Sequence, residues 1–307
     1  MPALIQVAAV YGAVTGLVTF GFRLTHEATG YMQLGFTVNL GVSIGAGFLT
    51  SQLLGIEPLF TLPIVSLLTG AFNAATYILI YRRLEAKGAS EVLISLTGLA
   101  ILFTGASALT VAEYFMRRRI DSPLWCGPMT IGFAQMTHFH YVDGSVAGLR
   151  WSLIASILAV VLLTVGAYTL MKRSRAASIL LAVSENPSLA QVSGIDTGRV
   201  RLASWLLAGG LAGLGGVLLP YVFKGEMGRD CEFLFTPMLA AAVLAEGLPL
   251  WTALPLGVFI GALQILLVNL GMTLFGVVVG EYNTLLPVAF LLVALVYRRK
   301  DLKNISS

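Results

Sequence analysis

The chain has 307 residues, 57% of them hydrophobic and 11% charged, against about 25% charged in soluble domains, and its mean hydropathy is +0.87. A soluble fold of this length has nowhere to put so much apolar surface, which excludes a soluble enzyme or a nucleic-acid-binding module; the net charge of +4 reads as membrane topology. The expectation is an all-α, polytopic transmembrane bundle forming one membrane domain over residues 1–307.

At about 20 apolar residues per span, spans are predicted at Leu4–Phe22, Met32–Leu54, Pro58–Tyr81, Val92–Met116, Trp151–Met171, Leu202–Phe223, Phe233–Leu248, Leu250–Leu270 and Tyr282–Val296. That makes nine, or eight if the short Phe233–Leu248 segment is re-entrant; Pro249 supplies a tight turn after it. Residues Met1–Leu4 lack the basic region of a cleavable signal. The 33 glycines fit closely packed helices, in which small residues let backbones approach.

Orientation follows the basic residues. With the 172–201 segment inside, thirteen of the nineteen Lys and Arg lie inside, which puts the N-terminus outside and the C-terminus in the cytoplasm. The Arg117–Arg119 triplet runs against the rule, flanked by Glu113 and Asp121. The external loop, Arg117–Arg150, is polar and aromatic enough to fold back as a cap over a pore, and serves equally as a plain connection. Cys126 in this loop and Cys231 in the Tyr221–Glu232 loop both fall outside, where a disulfide can persist; a bridge and two free thiols are the alternatives.

No G-x-x-x-x-G-K-[ST] phosphate loop is present, so ATP chemistry must come from another chain; no H-E-x-x-H or G-x-S-x-G motif appears either. His138 and His140 lack a third ligand at metal spacing and read as ordinary loop histidines. No enzyme, cofactor or metal is expected.

The 172–201 segment is the most informative. Lys172, Arg173 and Arg175 close a span, and a polar stretch follows before the next span at Arg201. Asn186-Pro187 is a helix start, Asn as N-cap and Pro at the first helical position, and Gly194 stands where a glycine stop falls. The predicted Pro187–Ser193 helix would dock into a soluble partner, Leu189 and Val192 sharing one face; an isolated polar loop is the alternative.

This stretch carries a family resemblance. Ala182-Val183-Ser184-Glu185-Asn186, Ala190, Gly194-Ile195-Asp196, Arg199-Val200 and the small-residue run Ala208–Gly216 resemble permease subunits of ABC importers for branched-chain amino acids, as do Gly21–Gly30 and Ala240–Gly261. The resemblance implies a pore-forming permease that pairs with a second permease subunit (a related chain or a copy), two cytosolic ATP-binding subunits and an extracytoplasmic solute-binding protein. It implies an ATPase-coupling role for Glu185, Asn186, Pro187, Leu189, Ala190, Val192, Gly194 and Ile195. Two departures bear on substrate identity: Gln33-Leu34-Gly35-Phe36-Thr37 replaces an Asn-Phe-Ala-His-Gly run, and Ala245-Glu246-Gly247 replaces a glycine pair.

Ala208, Ala212 and Gly216, with Gly209 and Gly213, form two adjacent small-residue stripes, for sliding during gating or for static packing; Gly41, Gly45, Gly257 and Gly261 raise the same choice. Asn39, Gln52, Asn73, Gln264 and Asn269 are uncharged amides at membrane depth, suited to a pathway for a zwitterion or to interhelix hydrogen bonds. An ATP-independent carrier or channel is the first rival, and would place ion-coupling charges at midplane. An intramembrane hydrolase is the second, and would need a catalytic pair at one depth.

Overall fold

The computed structural model describes residues 2–120, 145–146, 149–223 and 226–275, together with 288, 289 and 292. In chain order the helices are α1 (Pro2–Thr29), α2 (Val38–Leu54), α3 (Leu62–Thr76), α4 (Arg82–Ala86), α5 (Glu91–Ile120), α6 (Trp151–Arg173), α7 (Arg175–Glu185), α8 (Pro187–Val192), α9 (Thr197–Leu218), α10 (Met227–Ala245) and α11 (Ala253–Phe275). A turn of π-helix, Tyr77–Tyr81, joins α3 to α4. The two-residue strands β1 (Ser145–Val146) and β2 (Leu149–Arg150) pair antiparallel. The all-α expectation holds.

Among the described residues, six segments are long and apolar enough to cross a membrane: Leu4–Thr29, Pro58–Ala86, Glu91–Met116, Trp151–Arg173, Thr197–Tyr221 and Leu250–Leu274. The predicted Met32–Leu54 span is cut to a 17-residue helix, because residues before Val38 leave the helix around Gly30 at φ +84° and continue in turns. The Phe233–Leu248 segment is the latter part of α10, whose first turns carry Arg229, Asp230 and Glu232. The Tyr282–Val296 span lies outside the described residues apart from three positions.

Helices α1 and α9 make the centre, each with 72% of its apolar stretch buried within the chain; α6, at 11%, is peripheral and presents Leu158, Val161, Leu162 and Val165 outward. The central crossings are close because the facing residues are small. A Cβ at Gly257 would lie 2.7 Å from Gly16 Cα, and one at Gly261 would lie 3.0 Å from Gly12 Cα, so two four-spaced glycine pairs mesh between α1 and α11.

The polar 172–201 segment is more ordered than a loop. Ser174 caps α7, accepting from Ala177 N at 3.2 Å, and Ala177, Leu180 and Val183 bury one face at helical spacing. Asp196 then caps α9 at Thr197, four residues before the predicted span start at Arg201. The predicted outer loop is likewise shorter than Arg117–Arg150, since α5 continues to Ile120.

Candidate functional site

Helix α8 is set by its own sequence at both ends. Asn186 is extended (φ −152°, ψ 93°), and its Oδ1 accepts from Leu189 N at 3.0 Å and from Ser188 Oγ at 2.7 Å. Pro187 follows at the first helical position. At the other end Gly194 adopts φ +82°, with Gly194 N donating to Gln191 O at 2.9 Å and Ile195 N to Ala190 O at 3.0 Å. This 5→2 and 6→1 pair is a Schellman stop, which a side chain at Gly194 would strain. Ala190 is buried, Ile195 half-buried and Glu185 exposed. Leu189 and Val192 stand 63% and 86% exposed on one face, two large apolar groups on an otherwise polar element. Gln191 Nε2 donates to Thr197 Oγ1 at 2.9 Å, tying α8 to the first turn of α9.

The small-residue stripes of α9 face protein. Ala208, Gly209, Ala212, Gly213 and Gly216 are all buried. A Cβ at Gly209 would lie 2.5 Å from Asn73 Cβ and 2.6 Å from Thr69 O, while one at Gly213 would collide with the Thr69 hydroxyl and lie 2.8 Å from Ser66 Cα. Gly216 turns to α2, where a Cβ would meet Ser43 Oγ and lie 2.8 Å from Leu40 O; the carbonyl of Ala208 lies 2.9 Å from where Gly21 of α1 would carry a Cβ. One helix therefore packs on three neighbours through different small residues. The opposing stripe on α3, Ser66, Thr69, Gly70 and Asn73, was not read from the sequence, although its i, i+3, i+4, i+7 spacing is a visible signal. Ser66 Oγ donates to Gly210 O at 2.9 Å across this contact.

Of the five membrane-depth amides, two meet. Asn73 Nδ2 donates to Trp205 O at 2.8 Å, which turns Asn73 Oδ1 toward Gln33 Nε2 (2.8 Å) and Asn39 Nδ2 (3.1 Å); Asn39 Nδ2 also donates to Phe36 O at 2.8 Å. Since Trp205 O and Phe36 O only accept, the orientation of all three amides is determined. Gln33, one of the family departures, completes the cluster and was not among the predicted amides. Gln33 Oε1, Asn39 Oδ1, Trp205 Nε1 and Tyr81 Oη are buried with no hydrogen-bond partner among the described residues. Gln264 is held elsewhere, accepting from Tyr11 Oη at 3.4 Å; Gln52 and Asn269 are half-buried and join neither group. The five amides thus do not form one hydrogen-bonded group: Asn39 and Asn73 tie α2 and α3 to α9.

Below this cluster, Glu85 in α4 accepts from three directions: Arg201 Nη1 at 2.9 Å, Tyr31 Oη at 2.8 Å and Tyr77 Oη at 3.4 Å. Burial and the adjacent carboxylate push the Tyr31 phenol far above its ordinary pKa, so it stays a donor. Sequence reading missed this set because 116 residues separate Glu85 from Arg201. A partly open cleft lies between the C-terminal ends of α1 and α10 beside Arg23, His26 and Glu246. It has room for little more than one water molecule, far short of a ligand pocket. Arg23 pairs with Glu27 there at 2.6 Å.

Cys231 corrects an expectation. It is a free, fully buried thiol inside α10, not a loop residue; its Sγ donates to Met227 O at 2.9 Å and packs where Gly41 of α2 leaves room. Helix formation from Met227 turns this thiol into the core; Cys126, the other member of the considered pair, lies outside the described residues. A membrane-impermeant maleimide should leave Cys231 unlabelled in the folded protein, with or without reductant, and label it after denaturation. Labelling of the folded form would contradict this burial.

The chain is similar to known proteins. Residues 4–295 match the family described as "Branched-chain amino acid transport system / permease component". The chain is similar to the probable branched-chain amino acid transport permease protein LivH of Methanocaldococcus jannaschii, 28% identical over 219 residues; the match spans 71% of this chain and 66% of that protein's length. PsaBC from Streptococcus pneumoniae in complex with Fab aligns at a TM-score of 0.48 and 18% identity, covering 95% of this chain and 90% of that one.

Proposed function

This chain belongs to the permease-component family of branched-chain amino acid transport systems, and from that premise we propose that it forms half the pore of an ATP-driven importer for branched-chain or related amino acids. Its family is one of transport proteins, not of enzymes, and the six apolar segments among its described residues make it a multi-pass membrane protein. The partners in this reading are a second permease subunit, related or identical, two cytosolic ATP-binding subunits and an extracytoplasmic solute-binding protein. The N-terminus lies outside and the C-terminus in the cytoplasm.

The observation that carries the proposal is α8: a six-residue helix, capped at both ends by local hydrogen bonds, holding Leu189 and Val192 outward while Ala190 anchors it. A short rigid knob of this kind suits an ATPase groove, and its tie to α9 gives docking a mechanical consequence. Closure of the ATPases moves α8, and with it the inner end of α9, alternating the pore between outward and inward access. The carrier reading is less well supported: the buried Arg23 and Glu113 are engaged, Arg23 with Glu27, and Glu113 accepting from Met227 N at 2.8 Å.

The test is reconstitution. Proteoliposomes holding both permeases and both ATPases, supplied with the loaded binding protein, should accumulate labelled leucine, isoleucine or valine only with ATP on the ATPase side. Gradient-driven uptake by the permeases alone, without ATP, would replace this reading with the carrier.

A further inference from the structure

We propose that Glu85 is a positioning residue for transport, the joint through which displacement of α8 and the first turn of α9 reaches the buried amide cluster. The inference rests on the coupling role of α8 proposed above and adds the route inward. Glu85 sits in the last turn of α4, and the chain beyond it is closed by Gly88 at φ +70°, with Gly88 N donating to Glu85 O at 2.9 Å and Ala89 N to Leu84 O at 3.1 Å. The carboxylate thus has a fixed base. From it, one oxygen takes Tyr31 of the turn after α1, and the other takes Arg201 of α9 and Tyr77 of the π-turn. The Glu85 and Arg201 side chains are 19% and 20% exposed, enclosed enough for the pair to resist screening.

The rings above complete the connection. Trp205, one turn beyond Arg201, packs at 5.1 Å from Tyr77 and 4.7 Å from Tyr81, and Tyr81 stacks on Tyr31 at 5.7 Å with planes 4° apart. The Trp205 carbonyl in turn receives Asn73 Nδ2. A contiguous path therefore runs from α8 through Gln191–Thr197 to Arg201, Glu85, the π-turn tyrosines and Asn73. The π-turn holds both Tyr77 and Tyr81 between α3 and α4, and such turns recur at functional sites. Loss of the Glu85 charge releases Arg201 and the π-turn from one another, so α9 moves without carrying α3.

The experiment uses the reconstituted complex with Glu85→Gln, Arg201→Glu and the double reversal Glu85→Arg/Arg201→Glu, normalised to assembled complex. Glu85→Gln should keep ATP hydrolysis within about twofold while leucine taken up per ATP falls about tenfold, the shift that weakening one charge-assisted bond permits. Arg201→Glu should behave likewise, and the double reversal should recover the part of the loss carried by the ion pair, though not the part carried by the tyrosine hydrogen bonds, which an arginine at 85 cannot accept. Normal uptake per ATP in Glu85→Gln overturns the proposal, as does a loss of uptake matched by an equal loss of hydrolysis or of assembled complex, which would make the contact structural. Failure of all three variants to assemble overturns it too. Leu189→Glu run in parallel separates the two ideas: if it transports normally, the coupling reading fails first; if it uncouples while Glu85→Gln does not, only Glu85 is misassigned.

Discussion

Gly213→Leu is expected to reduce uptake to background even where the protein reaches the membrane. The Cβ alone would collide with the Thr69 hydroxyl and approach Ser66 Cα to 2.8 Å and Ser66 N to 3.2 Å, so backbone atoms of α3 would have to move. Overpacking of a well-filled contact costs about 1–3 kcal/mol, and more where backbone must yield. The four carbons of a leucine side chain cannot turn away, because the same face of α3 continues above and below as Ser66, Thr69, Gly70 and Asn73. Separating the helices also breaks the Ser66–Gly210 and Asn73–Trp205 hydrogen bonds, leaving buried polar groups without partners. Uptake assays paired with quantification in the membrane fraction check this outcome. Normal uptake would mean that α9 does not rest on α3 at this depth.

Leu189→Glu is expected to separate transport from ATP hydrolysis while leaving folding and insertion intact. Leu189 is 63% exposed and touches little of its own chain, so stability should change by no more than about 0.5 kcal/mol. Its backbone N–H still finds Asn186 Oδ1, so the cap survives. The loss falls on the partner: withdrawing a buried leucine from a groove removes about 1.5–3 kcal/mol of apolar stabilisation, before the penalty of bringing a carboxylate into it. Docking should weaken by roughly tenfold to a hundredfold or more. Hydrolysis by the ATPases measured with and without the permeases, together with uptake, reads the effect. Unaltered uptake would remove α8 as the docking element.

Much of the protein is legible in its residue order, and the legible parts share a cause. Asn186, Pro187 and Gly194 mark the ends of α8 because each acts on backbone groups within five residues of itself. The small residues of α9 and the apolar spans are readable for the same reason, their periodicity being internal to one helix. Even so, α7 escapes, because its apolar face is short and framed by polar residues that read as a loop.

What only the tertiary structure decided is which partners those local elements meet. The stripe Ala208–Gly216 shows from sequence that something packs closely; the chain's arrangement assigns Gly209 and Gly213 to α3, Gly216 to α2 and Ala208 to α1. Membrane depth alone groups five amides, whereas the structure joins Asn39 and Asn73 with Gln33 and leaves Gln264 with Tyr11. The same holds for Cys231, expected in a loop by counting spans and placed within α10 by the helix that begins at Met227, and for Glu85, whose partners come from the turn after α1, the π-turn and α9. Capping and periodicity depend on neighbours along the chain, so residue order is enough to reveal them; a hydrogen bond or a close crossing between residues more than a hundred positions apart depends on how every intervening helix packs.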